Sequence, residues 1–295
     1  MRRLNSTRVL IIGCGDIALR AAALLRGHYR LYGLIRDPAQ AARLRATGIT
    51  PILGDLDQPA TLRRLTGLGH WVLHSAPPSG ENPVDRRSVR LSAALSKARM
   101  VPQRLVYIST SGVYGDCDGE WVAETRPVRP QTARAARRVD AERRLRRWGR
   151  HSGVCIAIVR APGIYATERL PLQRLKAGTP ALLPAQDGYT NHIHADDLAR
   201  VVVAALHRGK AGRVYHACDS SQLKMGEYFD LLADHFGLAR APRVSWAEAR
   251  TQIPEAQLSF MAESRKLLNS RLKRELRVRL AYPTLNDFLR GLKTG

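Results

Sequence analysis

Between Arg8 and Thr110 the chain alternates short β-branched runs with longer stretches of helical spacing. RVLIIG precedes DIALRAAALLRGH, RLYGLIR precedes PAQAARLRATG, ITPILGD precedes PATLRRLTGLG, HWVLHSA precedes VRLSAALSKAR, and RLVYIST closes the series. That rhythm belongs to βαβ units, in which parallel strands form one sheet covered by helices on both faces. It continues through an arginine-rich helix from about Thr132 to Trp148, a strand VCIAIVRAPGIY, a helix LARVVVAALH and a late strand RVYHACD. The last 75 or so residues read as helices with proline breaks, without repeats or low-complexity tracts. A length of 295 residues suits one large α/β domain with a smaller appendage and is enough to bury a full core.

The first strand-to-helix turn carries a chemical signal. VLIIGCGDIALR places Gly13, Gly15 and Ala18 as G-x-G-x-x-A after an apolar strand and before an amphipathic helix. The first glycine permits the tight turn, the second lets a pyrophosphate approach the backbone, and the small third residue lets helix and strand lie close. The helix N-terminus, with Asp16 and Ile17, then faces the anion. The expected fold is therefore a Rossmann-type doubly wound parallel sheet with a smaller, mostly helical C-terminal region. Residues 1–168, with 191–219 returning to them, are expected to form the NAD(P)-binding domain; 169–190 and 220–295 form the substrate-side region.

Three further positions concern the dinucleotide. At the end of the second strand Arg36 comes before Asp37. An arginine there accommodates the 2′-phosphate of NADP, whereas an acidic residue would bond the ribose hydroxyls of NAD, so NADP is preferred and NAD stays open. In GDLD, Asp55 with Leu56 would lie beside an adenine, or Asp55 or Asp57 would cap the next helix. Ala76, in HSAPP after the fourth strand, is a small residue where backbone could lie against the cofactor.

The net charge of +23 raises nucleic acid as a partner, because clustered cations neutralise phosphates. Of the 48 basic residues only seven are lysines, and residues 132–150 carry eight arginines, a bias that leaves a solvated arginine surface as the plain alternative. No DNA-reading motif and no interleaved aromatic platform accompanies them, so specific nucleic-acid binding is not expected. Cys14, Cys117, Cys155 and Cys218 form no C-x-x-C pair, which indicates neither zinc nor a disulfide framework and suits a reduced, cytoplasmic setting. Val9 to Ile12 is too short an apolar run for a signal peptide, and no segment approaches the roughly 20 apolar residues of a membrane span, so neither is expected.

VLIIGCGDIALR, GDL, YISTSGVYG, RAPGIY and HIHADDLA, in this order and spacing, resemble the extended short-chain dehydrogenase/reductase family, also called the NAD-dependent epimerase/dehydratase family. The resemblance runs from about Arg8 to Ala217, and the tail NSRLKRELRVRLAYPTLNDFLRGL is similar to the C-terminal end of atypical members. It implies oxidoreductase, epimerase or dehydratase chemistry on a sugar-nucleotide-like or other phosphorylated small molecule. Thr110, with Ser111 beside it, maps onto the family's hydroxyl that orients the reacting group. The family's Tyr-x-x-x-Lys pair maps onto Arg134 and Arg138, and no tyrosine in the chain has a lysine four residues on. Arginine, with a pKa above about 12, is a permanent donor and cannot relay a proton as a phenol does.

Proton transfer must then be sought elsewhere. Tyr114, after the fifth strand, and Tyr165 and His192 are candidates. His192 and His194 share a strand face but no metal site is expected, because Asp196 and Asp197 read better as the cap of the helix that follows. Helical spacing puts Arg134, Arg138, Ala141, Leu145 and Trp148 on one stripe. The last three would anchor the helix, bringing Arg138 to the cofactor and Arg134 to a substrate or cofactor anion. Arg137, Arg143, Arg144, Arg146, Arg147 and Arg150 fall largely off the stripe, toward solvent. A non-catalytic NADP(H)-sensing regulator and a nucleic-acid-associated protein on this scaffold are the alternative readings, and a homodimer is compatible with either.

Overall fold

A computed structural model describes residues 7–80, 84–97 and 100–292. Seven strands form one wholly parallel sheet: β1 (Arg8–Ile12), β2 (Arg30–Ile35), β3 (Ile49–Leu53), β4 (Trp71–His74), β5 (Arg104–Thr110), β6 (Cys155–Ala161) and β7 (Val214–His216). Their order is β3-β2-β1-β4-β5-β6-β7. The chain thus builds outward from β1 in one direction and then crosses back to β4. Ligands of doubly wound sheets bind at that reversal, beyond the carboxyl ends of the strands.

Alternation along β1 explains the layers. Val9 and Ile11 point into one core with α1 (Asp16–Leu25), while Leu10 and Ile12 point into the other. That second core also takes Leu91 from α3 (Arg86–Ser96) and Ala141 and Leu145 from α4 (Ala133–Ser152), with Trp148 packed against it. Between β2 and α3 lie α2 (Gln40–Ala46), β3 and the turn Pro59–Leu65. That turn winds as a 3₁₀ helix, tighter than the α-helical spacing of PATLRRL suggests. Thr61 turns its hydroxyl back onto the carbonyl oxygen of Gln58 and binds the Asp55 amide nitrogen, tying the segment into the strand end. Helix α4 begins at Thr132, whose hydroxyl caps Ala135 N, and stops at Gly153 in the left-handed conformation.

The C-terminal half adds α5 (Leu172–Lys176), α6 (Ala195–Arg208), α7 (Met225–His235), α8 (Trp246–Gln252), α9 (Glu255–Met261), α10 (Ser270–Arg274) and α11 (Leu285–Gly291). Helix α6 packs on α1 and β7 completes the sheet edge. Helices α7 and α11 share a separate core with Tyr165 and Leu175. The tail is not wholly part of this smaller region, since Leu272, Leu276 and Val278 join the core of the sheet.

Two local expectations are corrected. The cap of α6 is His194, whose Nδ1 accepts from Asp196 N at 3.2 Å. Asp197 instead is fully buried and accepts from Ala281 N and Tyr282 N, pinning the tail to the helix. On α4, Arg143, Arg144, Arg147 and Arg150 are exposed, but Arg137 and Arg146 are half-buried because they flank the packed face, with Arg146 3.7 Å from Glu142.

Candidate functional site

A groove of about 1080 Å³ runs along the carboxyl ends of β1, β2 and β5. Its middle is built by the glycine turn. Gly13 has φ of +90°, and a Cβ there would stand 2.5 Å from Ala76 N, so only glycine lets the two loops meet. Ser75 Oγ donates to Gly13 O at 2.5 Å and Ala76 N to Ile12 O at 3.0 Å, locking the loops together. Gly15 is different: a Cβ there would meet nothing within 4 Å, leaving an open cradle over the first turn of α1. Asp16 and Ile17 line the groove at that turn, whose amides and dipole suit a pyrophosphate. The residues present therefore fit a dinucleotide.

At the β2 end Arg36 and Asp37 both line the groove. The Asp37 carboxylate turns back onto Ala39 N at 2.9 Å, whereas Arg36 is exposed and has Arg43 as a second cation in the same wall. Leu56 is buried beneath the groove, and Asp55 lines it while accepting from Asp57 N in a tight turn. Asp57 is held by Arg87 and Arg90, whose guanidinium groups keep its carboxyl below the usual carboxylate range. At the far end Arg138 lines the groove and donates Nη1 to Ile108 O at 2.8 Å and to Tyr107 Oη at 3.1 Å.

A second cavity of about 500 Å³ adjoins the groove and is lined in part from α7 and α9, and Thr110 and Pro162 line both. Thr110 Oγ1 accepts from Gly112 N at 3.2 Å, and among the described residues no acceptor takes its hydroxyl proton. Ser111, buried, and Arg134 line the cavity with it. Arg134 lies 4.1 Å above the Phe260 ring, and Arg174 from α5 lies 4.7 Å above the Phe229 ring. Among the described residues neither has a carboxylate partner, although Arg174 donates Nη1 to Gln257 Oε1 and Nη2 to Pro180 O at 2.7 Å, so the cavity carries two guanidinium charges not neutralised by an acid. His192 also lines it, stacked on Tyr228 at 4.1 Å, and burial pushes its imidazole down to about 4.

Tyr114 does not reach either space. It is 1% exposed and sits in a relay behind β5: Arg160 Nη1 donates to Tyr114 Oη at 2.6 Å, and the phenol donates to His216 Nε2 at 2.5 Å. His216 Nδ1 donates in turn to Leu268 O. Burial pushes the phenol up to about 12 and the imidazole down to about 3, which favours the neutral form of both beside the Arg160 guanidinium. Tyr165 is likewise buried, packed among His192, His194 and Phe288.

Several lining residues lay outside the sequence reading. Arg43, Arg87 and Arg169 line the groove. Arg174, Glu263 and Arg265 reach the cavity from the C-terminal half, where nothing in local spacing marks them. Glu142, one of two acids with Asp140 amid the arginines of α4, is the one missed signal. It is 2% exposed and takes a bidentate pair from Arg160 at 3.0 and 2.6 Å, together with Ser109 Oγ at 2.6 Å.

A family model described as NAD(P)H-binding matches residues 13–209. The chain is 28% identical over 194 residues to a dTDP-glucose 4,6-dehydratase of an Actinoplanes strain, covering 63% of this chain and 59% of that protein. Among solved structures it is similar to a conserved protein of unknown function from Silicibacter pomeroyi DSS, with 30% identity, 97% of each chain covered and a TM-score of 0.80. It also shares its fold with a dTDP-glucose 4,6-dehydratase from Streptomyces venezuelae solved with NAD bound, at 23% identity, 96% and 95% coverage and a TM-score of 0.77. Among the described residues no helix is long and apolar enough to cross a membrane.

Proposed function

The chain belongs to the NAD(P)H-binding family, and from that premise we propose that it is an NADP(H)-preferring oxidoreductase, epimerase or dehydratase acting on an anionic, sugar-nucleotide-like or phosphorylated small molecule. The observation that carries the reading is the junction: a dinucleotide groove and a separate cavity share Thr110 and Pro162 as a common wall. When bound, the nicotinamide supplies a hydride acceptor or donor at that wall.

The chain's own residues take the following parts. Gly15 and the first turn of α1, with Asp16 and Ile17, receive the pyrophosphate; Asp55, Leu56 and Ala76 flank the adenine and the path of the backbone. Arg36 and Arg43 receive the 2′-phosphate, since Asp37 is engaged with its own turn. Arg138 holds the cofactor end next to β5, Thr110 and Ser111 orient the reacting oxygen, and Arg134 with Arg174 holds the substrate's anion. The dTDP-glucose 4,6-dehydratase relatives support a sugar-nucleotide substrate.

Titration by nucleotide fluorescence is expected to show saturable binding of NADPH, tighter than NADH. Arg36→Ala combined with Arg43→Ala should weaken NADPH at least about tenfold while leaving NADH nearly unchanged, the worth of one charge-assisted contact. Absence of binding to both nucleotides would overturn the assignment, and an NADH preference would overturn the NADP part alone.

A further inference from the structure

With Tyr114 and Tyr165 walled off, proton chemistry falls to side chains that line the cavity itself. We propose that Glu263 is the catalytic residue that takes and returns the substrate's hydroxyl proton, an inference that rests on the oxidoreductase-type reading above. Its Oε2 lies 3.8 Å from the point where a Cβ on Gly112 would stand, and that point is 3.6 Å from Thr110 Oγ1. The carboxylate and the junction hydroxyl therefore flank the same glycine on one wall of the cavity, and a substrate oxygen drawn in between them would have a donor on one side and a proton acceptor on the other.

Glu263 is held for that task. Arg265, 8% exposed, donates Nη1 to Glu263 Oε2 at 2.8 Å and to Gly115 O at 2.7 Å. The next residue is clamped as well: Ser264 N donates to Asp116 Oδ1 at 2.8 Å, and Ser264 O accepts from Cys117 N and Gly119 N. A carboxylate from the C-terminal half is thus fixed against the loop that follows β5. Among the described residues it is the single carboxylate lining the cavity.

The other charged and titratable groups facing the cavity are less suited. Arg134 from α4, Arg174 from α5 and Arg265 carry guanidinium groups, which donate hydrogen bonds and offer no acceptor for a proton. His192 lies flat on Tyr228, and the ring of Tyr189, the one tyrosine lining the cavity among the described residues, packs under the Lys266 ammonium at 4.7 Å. The step asked of Glu263 is a proton transfer alone. The O–H bond of the substrate hydroxyl breaks, the proton moves to Glu263 Oε2, and the electron pair stays on the substrate oxygen; the reverse step returns it.

The test compares the intact chain with Glu263→Gln, which keeps an oxygen for Arg265, and Glu263→Asp, with dTDP-glucose, glycerol 3-phosphate and 9,10-phenanthrenequinone as probes. Glu263→Gln should lower kcat about 10²- to 10⁴-fold and abolish the acidic limb of the pH profile, with partial recovery in Glu263→Asp. NADPH affinity should be the same in all three proteins, which also reports folding. In protein labelled with [¹³C-carboxyl]glutamate, the resonance missing from Glu263→Gln should move when a turned-over probe is added. Wild-type kcat and pH profile in Glu263→Gln, a resonance that stays still, or NADPH binding without turnover of any probe would each overturn the proposal. Failure to bind NADPH would instead overturn the reading on which it rests.

Discussion

A methyl group added at Gly13 would collide with Ala76, whereas one added at Gly15 would hang in the open groove. Gly15 has φ of −80°, which alanine adopts freely, so its absent side chain serves a ligand rather than the fold. Gly13→Ala is expected to cost about 1–3 kcal/mol from its positive φ and the clash, read by urea unfolding. Gly15→Ala should change stability by less than about 0.5 kcal/mol yet weaken NADPH binding sharply. Equal effects of both changes on stability would contradict the division of roles. Both were legible in the sequence for different reasons: Gly13 because its positive φ and the contact with Ala76 admit little else, and Gly15 because its place in G-x-G-x-x-A is where a pyrophosphate approaches the backbone. Tyr114 was not, since a phenol two residues past Gly112 looks alike whether it faces a cavity or, as here, the buried Arg160 and His216.

Helix α4 shows what periodicity can and cannot reveal. Its anchor of Ala141, Leu145 and Trp148 follows from 3.6-residue spacing, and Trp148 adds a bond from Nε1 to Ser96 Oγ at 2.8 Å. Glu142 lies beside that stripe, and its partner Arg160 comes from β6, so the buried pair joining helix to sheet depends on a contact no local pattern encodes. Arg160→Met should destabilise by about 3–5 kcal/mol because it strands a buried carboxylate, while the double change with Glu142→Leu should recover most of the loss. Denaturant unfolding of the two variants checks this; a double variant as unstable as the single would mean that packing rather than charge holds the junction. The strands were readable for a simpler reason: each of β1 to β6 is flanked by its own turn residues. The 3₁₀ turn at Pro59–Leu65 was misread because its hydrogen bonds are set by Thr61 and the end of β3, not by apolar spacing.

For the molecule as a whole, Asp219 is one source of pH dependence, alongside the buried histidines His192 and His216. Asp219 is 4% exposed after β7, it accepts from Ser221 N at 2.9 Å, and burial pushes its carboxyl up to about 7. Between about pH 4 and 7 the folded protein keeps a proton that the unfolded chain has already released, so stability falls as pH rises through that window and levels off above it. Asp219→Asn should therefore raise Tm at pH 8 and not at pH 4; an equal shift at both would exclude this origin. At the same scale the cavity was illegible in advance, because Arg174, Glu263 and Arg265 are brought to Thr110 only by the folded C-terminal half. The groove, by contrast, is built mainly from the first 110 residues, with Arg138, Pro162 and Arg169 added from later elements, and its middle is closed by the Ser75 and Ala76 bonds to the β1 turn. Those bonds mean that the loops meeting a dinucleotide have lost their freedom on folding, so association carries little further ordering entropy there. Differences in affinity between two dinucleotides then report the groups at the groove rim, and a calorimetric comparison of nucleotides becomes a direct measure of Arg36 and Arg43.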